Sequence, residues 1–403
     1  MDRFECLACG PVAERDLFSP FCPGCGEPLF VDPSVRPGRK AVREDRSLAL
    51  ERYADFLPLD TVRPELSLGE GSTPLVRLGR IGASLGLASL YAKNEAQNPT
   101  ASFKDRGTAV AVQKAVSLGF TRIGTVSTGN MAASTAAYGA RAGLETTVLL
   151  KEGTSAASLR GAGIYAPRLV AVEGDYGRLF QSSLELGRKL GILFMNSIDP
   201  YRMEGYKLTA FEIYLDLGRR APRTLFVPLS SGGHLLGLMR AFEDLEREGL
   251  IDAYPTVVGV QARGCAPLVR AFEAGLGKFE RPAEVRTIAH AISNPSPPAG
   301  NAVLRMIRAR QGVLVDVTDE EMLGAQRELA GGEGLFCQPE SATTLAALKK
   351  LAAKPGGLDR DGVSVLVLTG SGLKTPGLPE SLPVEVRRLA LDRLAEGLAR
   401  LAG

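Results

Sequence analysis

Asn98-Pro99-Thr100-Ala101-Ser102-Phe103-Lys104-Asp105-Arg106-Gly107 is the stretch whose reading decides the fold. A polar turn interrupted by proline ends in a lysine, and the lysine opens an apolar helical run from Thr108 to Val116. Pro99 keeps the residue before it extended, and Asn98 or Thr100 can supply the helix start signal. On its own, a lysine at a helix start is an ordinary surface residue. Its surroundings argue otherwise.

From Ser89 onward, short β-rich runs alternate with Ala- and Leu-rich helical segments. The runs are Leu90–Lys93, Arg122–Val126, Thr146–Leu150, Leu169–Val172, Leu225–Val227, Val257–Val260, Val313–Val315 and Val365–Leu368. Strands that are apolar on both faces and alternate with helices predict an α/β fold, with a mainly parallel sheet covered on each side. In such sheets ligands sit at the carboxyl ends of the strands. The unusual residues cluster there. Ser127-Thr128-Gly129-Asn130 lies between a strand and a helix, where free N–H groups and the helix dipole suit a carboxylate; simple capping by Thr128 or Asn130 is the plainer reading. Ser230-Ser231-Gly232-Gly233-His234 opens the next such helix, and its glycines let backbone N–H groups close on a phosphate. It lacks the lysine of a nucleotide P-loop. Asn196, Ser197 and Arg202 are expected on a loop before a helix from about Glu204. A guanidinium with small polar donors suits a phosphate dianion, although Arg202 could instead pair with Glu204 or Asp199.

The chain has 403 residues, is 45% apolar and 23% charged, and carries a net charge of +3. That length predicts two or three structural units, and the charge balance gives no case for nucleic acid or an anionic membrane. There is no apolar run of about 18–20 residues, and no signal-peptide core near Met1. The cytoplasm is the expected compartment.

Cys6-Leu7-Ala8-Cys9-Gly10 and Cys22-Pro23-Gly24-Cys25-Gly26 are two CxxC knuckles separated by a spacer of twelve residues. Four thiolates at this spacing predict a tetrahedral structural Zn held by Cys6, Cys9, Cys22 and Cys25, with no open position for chemistry. Cys265 and Cys337 read as buried packing thiols.

Several of these motifs together resemble the threonine synthases. Only Ala101 departs from that family's Asn-Pro-Thr-Gly-Ser-Phe-Lys-Asp-Arg-Gly segment. Leu68–Arg77 resembles its Gly-Glu-Gly-x-Thr-Pro-Leu entry, and Phe194–Lys207 its Asn-Ser-(Ile/Val)-Asn-Pro-(Tyr/His)-Arg-Leu-Glu-Gly-Gln-Lys segment, with Asp199, Met203 and Tyr206 as departures. Thr369-Gly370-Ser371-Gly372-Leu373-Lys374 resembles Thr-Gly-His-Gly-Leu-Lys, and Phe336–Ala342 a further family run in which Glu340 stands for a small residue. The resemblance implies a fold-type II pyridoxal 5'-phosphate (PLP) enzyme: two parallel-sheet α/β subdomains behind a small zinc ribbon. It implies a ribbon over residues 1–30, a linker over 31–48 and a catalytic region over 49–403. A smaller subdomain of about 96–204 is inserted in a larger one formed by 49–95 and 205–403.

The same resemblance gives Lys104 as the residue that carries PLP. Asn130, Ser230, Ser231, Gly232, Gly233, His234 and Thr369 become cofactor-binding, and Ser127, Thr128, Gly129, Asn196, Ser197 and Arg202 substrate-binding. The implied reaction converts O-phospho-L-homoserine and water to L-threonine and phosphate, in a homodimer. Met131 and Ser371 replace a usual threonine and histidine, and the Pro-rich Asn294–Pro298 is a further departure. They keep open a β-replacement on O-phosphoserine, as in cysteate synthases. A non-catalytic paralogue that keeps the ribbon is the third reading.

Overall fold

A computed structural model describes residues 2–13, 15–32, 40–154, 156–174 and 176–375, with residues 386, 388–389, 391–394 and 398–400 beyond them. Residues 33–39 of the expected linker lie outside the described residues, as does most of the chain after 375.

The chain opens with three short antiparallel strands, β1 (Phe4–Cys6), β2 (Gly10–Val12) and β3 (Leu29–Val31), with β1 in the middle. After α1 (Ala49–Arg52) come β4 (Leu75–Arg77), α2 (Gly79–Leu85) and β5 (Leu90–Asn94). The next section runs α3 (Lys104–Ser117), β6 (Arg122–Val126), α4 (Asn130–Arg141), β7 (Glu145–Lys151), α5 (Ala156–Gly163), β8 (Arg168–Val172), α6 (Tyr176–Leu190) and β9 (Leu193–Phe194). It continues through α7 (Pro200–Asp216), β10 (Thr224–Pro228), α8 (Gly233–Arg247), β11 (Thr256–Ala262), α9 (Pro267–Glu273) and α10 (Gly300–Ala309). The last elements are β12 (Val313–Val317), α11 (Asp319–Glu333), α12 (Pro339–Ala352) and β13 (Ser364–Leu368).

Two larger sheets result. One has the order β12-β11-β10-β13-β5-β4, parallel except for β4. The other, β8-β7-β6-β9, is wholly parallel. All eight strands expected from the sequence are present, each within a residue or two of its predicted ends. Their apolar runs explain this: Leu225, Phe226 and Val227 are each 0% exposed, so both faces of β10 are covered.

Helices α3 and α7 cross closely at two glycines. A Cβ on Gly107 would come within 2.5 Å of the Tyr206 ring, and one on Gly205 would overlap the Arg106 carbonyl oxygen. No larger residue allows this approach. The charges buried with the two helices are matched: Arg106 pairs with Glu95 at 2.6 Å and Glu212 at 2.7 Å, and Lys207 with Glu204 at 2.6 Å and Asp244 at 3.0 Å.

Two local expectations are corrected. Neither Asn98 nor Thr100 caps α3: Asn98 accepts from Gly71 N at 3.0 Å, and Thr100 donates through N and Oγ1 to Asp105, each at 2.6 Å. Helix α7 begins at Pro200 rather than near Glu204, so Arg202 sits in its first turn. Asp199 accepts from both Tyr201 N and Arg202 N, and proline in the first position has no N–H to satisfy.

Candidate active site

Lys104 is the first residue of α3. The loop before it is pinned from outside: Phe103 N donates to Thr369 O at 3.0 Å, Ser371 N to Ala101 O at 3.1 Å, and Lys374 Nζ to Thr100 O at 2.6 Å. Ala101 takes a left-handed φ of 58°. The lysine is half-buried and its Nζ has no hydrogen-bond or ion-pair partner among the described residues; it lies 4.4 Å from the Phe103 ring centroid and 5.7 Å from that of Tyr206. Burial, and then the nearby Arg202 guanidinium, pull its ammonium down to about 7. At neutral pH this amine is a usable base and nucleophile.

Arg202 is 0% exposed. Its guanidinium donates to Thr108 Oγ1 at 2.6 Å, Thr135 Oγ1 at 3.1 Å and Met195 O at 3.0 Å. It makes no direct ion pair among the described residues: Glu204 is taken by Lys207, and Asp199 caps the helix through the Arg202 backbone and acts on the guanidinium only from a distance. A buried cation held only by neutral groups is suited to an anion that arrives from outside.

The turns at the strand ends complete the site. After β6, Ser127 and Thr128 are half-buried and Gly129 is exposed, and α4 starts at Asn130 with no side-chain cap. The capping expected from Thr128 or Asn130 is absent, which leaves first-turn N–H groups for a ligand. Asn130 Nδ2 donates to Gln338 Oε1 at 2.7 Å, and Gln338 N donates to Gly370 O at 2.9 Å. One glutamine thus joins the Asn130 turn to the Thr369 turn. Thr369 Oγ1 lies 2.9 Å from Ser341 Oγ, which also accepts from Gly370 N at 3.1 Å.

After β10, Gly232 takes a φ of 96°, and a Cβ there would come within 2.9 Å of Val303. Ser230 and Ser231 are half-buried, and α8 starts at Gly233. His234 stacks on Phe103 with ring centroids 3.9 Å apart, and neither ring nitrogen has a partner among the described residues. Burial, then Lys104 and Arg106, hold its pKa well below the usual value, so it is neutral. The Ser102 Oγ beside Lys104 is also buried without a partner among the described residues. A buried polar group left unpaired costs about 1–3 kcal/mol. Several of them around one lysine held near 7 and an uncapped helix start fit a polar, anionic ligand such as PLP.

Not every predicted residue is free for a ligand. Asn196 accepts from Val126 N at 2.9 Å and donates to Ser183 Oγ at 3.1 Å, which leaves one amide hydrogen. Ser197 is half-buried, and its carbonyl would lie 2.6 Å from a Cβ on Gly233. The linking function of Gln338 and Ser341, and the holding of Arg202 by Thr108 and Thr135, were invisible in the sequence; only the resemblance of Phe336–Ala342 hinted at the first. Cys6, Cys9, Cys22 and Cys25 form a separate cluster with all four sulfurs within 4.8 Å of one another. Cys265 and Cys337 are buried, as expected of packing thiols.

Known proteins resemble this chain in sequence and in fold. The family described as "Pyridoxal-phosphate dependent enzyme" matches residues 66–370. A threonine synthase of Methanocaldococcus jannaschii is 38% identical over 377 residues, covering 92% of this chain and 93% of its own. One of Halalkalibacterium halodurans is 38% identical, covering 81% of this chain and 89% of its own. Among solved structures, a T.th. threonine deaminase superposes with a TM-score of 0.63 at 23% identity, over 80% of this chain and 96% of that one. Maize serine racemase gives 0.63 at 16% identity, over 82% and 92%. The two structures speak for the fold alone.

Proposed function

The chain belongs to the pyridoxal-phosphate-dependent enzyme family and, within it, to the threonine synthases, and we propose that it converts O-phospho-L-homoserine and water to L-threonine and phosphate. Its fold is the type II fold of PLP enzymes. The observation that carries the reading is the pairing of a Lys104 amine held near 7 with a buried Arg202, neither of which has an ion-pair partner among the described residues.

When bound, PLP supplies an electron sink for the charge left on the substrate's α-carbon. Lys104 is the residue that holds it. Its amine, freed by the substrate, moves protons at Cα and Cβ. Ser230, Ser231, Gly232, Gly233 and His234, with the start of α8, receive the cofactor phosphate; neutral His234 can donate one hydrogen bond there. Thr369 Oγ1, shared with Ser341, would offer a hydroxyl to the ring nitrogen, and Asn130, held by Gln338, would contact the ring oxygen. Ser127, Thr128 and Gly129 bind the substrate carboxylate at the start of α4. Arg202, Ser197 and the remaining amide hydrogen of Asn196 hold the leaving phosphate. Loss of phosphate from Cγ, delivery to Cγ of a proton in place of the one removed at Cβ, and addition of water at Cβ give threonine.

We read the four-stranded sheet and its helices as the smaller, inserted subdomain of about 96–204. Cys6, Cys9, Cys22 and Cys25 are proposed to hold one structural Zn, and metal analysis giving one zinc per chain supports this, whereas a metal-free folded protein refutes it. A homodimer is proposed from the resemblance; a monomer mass in sedimentation removes it. No described helix is long and apolar enough to cross a membrane.

The test of the reaction is a product assay with O-phosphohomoserine, and separately with O-phosphoserine and sulfite. Threonine and phosphate at catalytic turnover support the reading. Cysteate from phosphoserine, with no threonine from phosphohomoserine, overturns it and assigns the changed chemistry to Met131 and Ser371.

A further inference from the structure

Among its contacts with the rest of the chain, the N-terminal module touches α3 and α7, the helices that carry Lys104 and Arg202. Arg15 lies on the spacer between Cys9 and Cys22. Its guanidinium is 3.8 Å from Asp199 Oδ2, with the two side chains only 4% and 7% exposed. It is also stacked 4.4 Å from the Phe4 ring centroid and 5.2 Å from that of Tyr201. Phe4 meets Tyr201 edge-on at 5.9 Å, and the Tyr201 hydroxyl donates to Asp2 at 3.0 Å. Asp2 in turn pairs at 2.6 Å with Lys114 of α3, the helix that begins with Lys104.

Asp199 is the hinge of this arrangement. One oxygen, Oδ1, accepts from Tyr201 N and Arg202 N, each at 3.0 Å, while the other faces Arg15. A buried carboxylate is costly unless a cation accompanies it. Burial pushes the Asp199 carboxyl up, and Arg15 leads the groups that oppose the rise. Without Arg15, Asp199 is left to protonate or turn away, and in either case the first turn of α7 loses its anionic cap.

We infer that Arg15 is a positioning residue: through Asp199 it fixes the first turn of α7, and so sets how tightly Arg202 holds the phosphate of the substrate. The inference rests on the proposed function, which places the substrate phosphate at Arg202. It makes the N-terminal module part of substrate recognition rather than an appended fold.

The experiment uses the full-length, PLP-loaded protein. Inorganic phosphate affinity is measured by competition and by thermal protection, and KM and kcat by turnover of O-phosphohomoserine. Wild type is compared with Arg15→Gln, Arg15→Lys, Asp199→Asn and the Arg15→Gln/Asp199→Asn double variant. An N-cap contact is worth about a factor of five to ten in such an equilibrium. Arg15→Gln is expected to weaken phosphate binding and raise KM by about that factor, with kcat changing less than about twofold and Arg15→Lys recovering part of the loss. The double variant is expected to be no worse than Asp199→Asn alone, because the two residues act as one pair.

Wild-type phosphate affinity and KM in a folded Arg15→Gln overturn the inference. So do fully additive effects in the double variant. Should Arg15→Gln fail to fold, Asp199→Asn, which keeps a capping oxygen without the charge, decides the matter: unchanged phosphate affinity refutes the coupling. A wild-type protein that neither binds phosphate nor makes threonine sinks the proposed function first, and the inference with it.

Discussion

The amine of Lys104 titrates near neutrality, and this can be read directly from cofactor capture. At pH 7 a lysine of ordinary basicity, 10.5, is neutral in about one molecule in 3,000, whereas one held at about 7 is neutral in about one in two. Only the neutral amine attacks the cofactor aldehyde. The rate at which apoprotein takes up PLP is therefore expected to rise with pH, bend near 7 and flatten above about 8, once normalised to a simple alkylamine that reports the cofactor's own titration. Stopped-flow absorbance follows the uptake. Burial is the larger cause of the low value and Arg202 the smaller. Arg202→Gln removes the like charge, so the bend is expected to move to higher pH while remaining below 10.5. A normalised rate that keeps climbing tenfold per pH unit to about 10 would refute the reasoning, as would a bend that Arg202→Gln leaves in place.

Ala101→Gly relieves a left-handed backbone that costs a non-glycine residue about 1–2 kcal/mol; denaturant unfolding is expected to show a gain of about 0.5–1 kcal/mol after the entropy of the added glycine is counted. Gly205→Ala drives a methyl into the Arg106 carbonyl oxygen and separates α3 from α7; it is expected to cost about 1–3 kcal/mol in the same assay and to lower threonine formation. Gln338→Ala releases Asn130, and kcat is expected to fall about five- to tenfold with the thermal midpoint nearly unchanged, as steady-state kinetics and calorimetry would report.

The strands were legible because parallel strands buried on both faces are apolar throughout, and β10, β11 and β13 have no other way to be read. Lys104 was singled out because the decapeptide around it resembles a family segment, and the helix start expected there is observed. Sheet order was not: nothing local to Ser364–Leu368 says that β13 lies between β10 and β5. The start of α7 was misplaced even though Asp199-Pro200 is itself a cap followed by a first-turn proline; the reading followed the polar character of the segment and put Arg202 on a loop. Ala101 was visible as a departure, but its cost appears only with its φ. Arg15 and Asp199 are joined across 184 positions of sequence, and Asn130 and Gln338 across 208. Pairings of that kind come from topology, which local pattern does not encode.

The most direct test of the central claim follows the oxygen atoms. O-phosphohomoserine is turned over in water enriched in oxygen-18, and both products are examined by mass spectrometry. If Lys104 moves protons while Arg202 holds a phosphate that leaves with its bridging oxygen, the label enters the Cβ hydroxyl of threonine and none enters phosphate. Label in the phosphate, with homoserine as the other product, would mean cleavage of the P–O bond by water and would contradict the account.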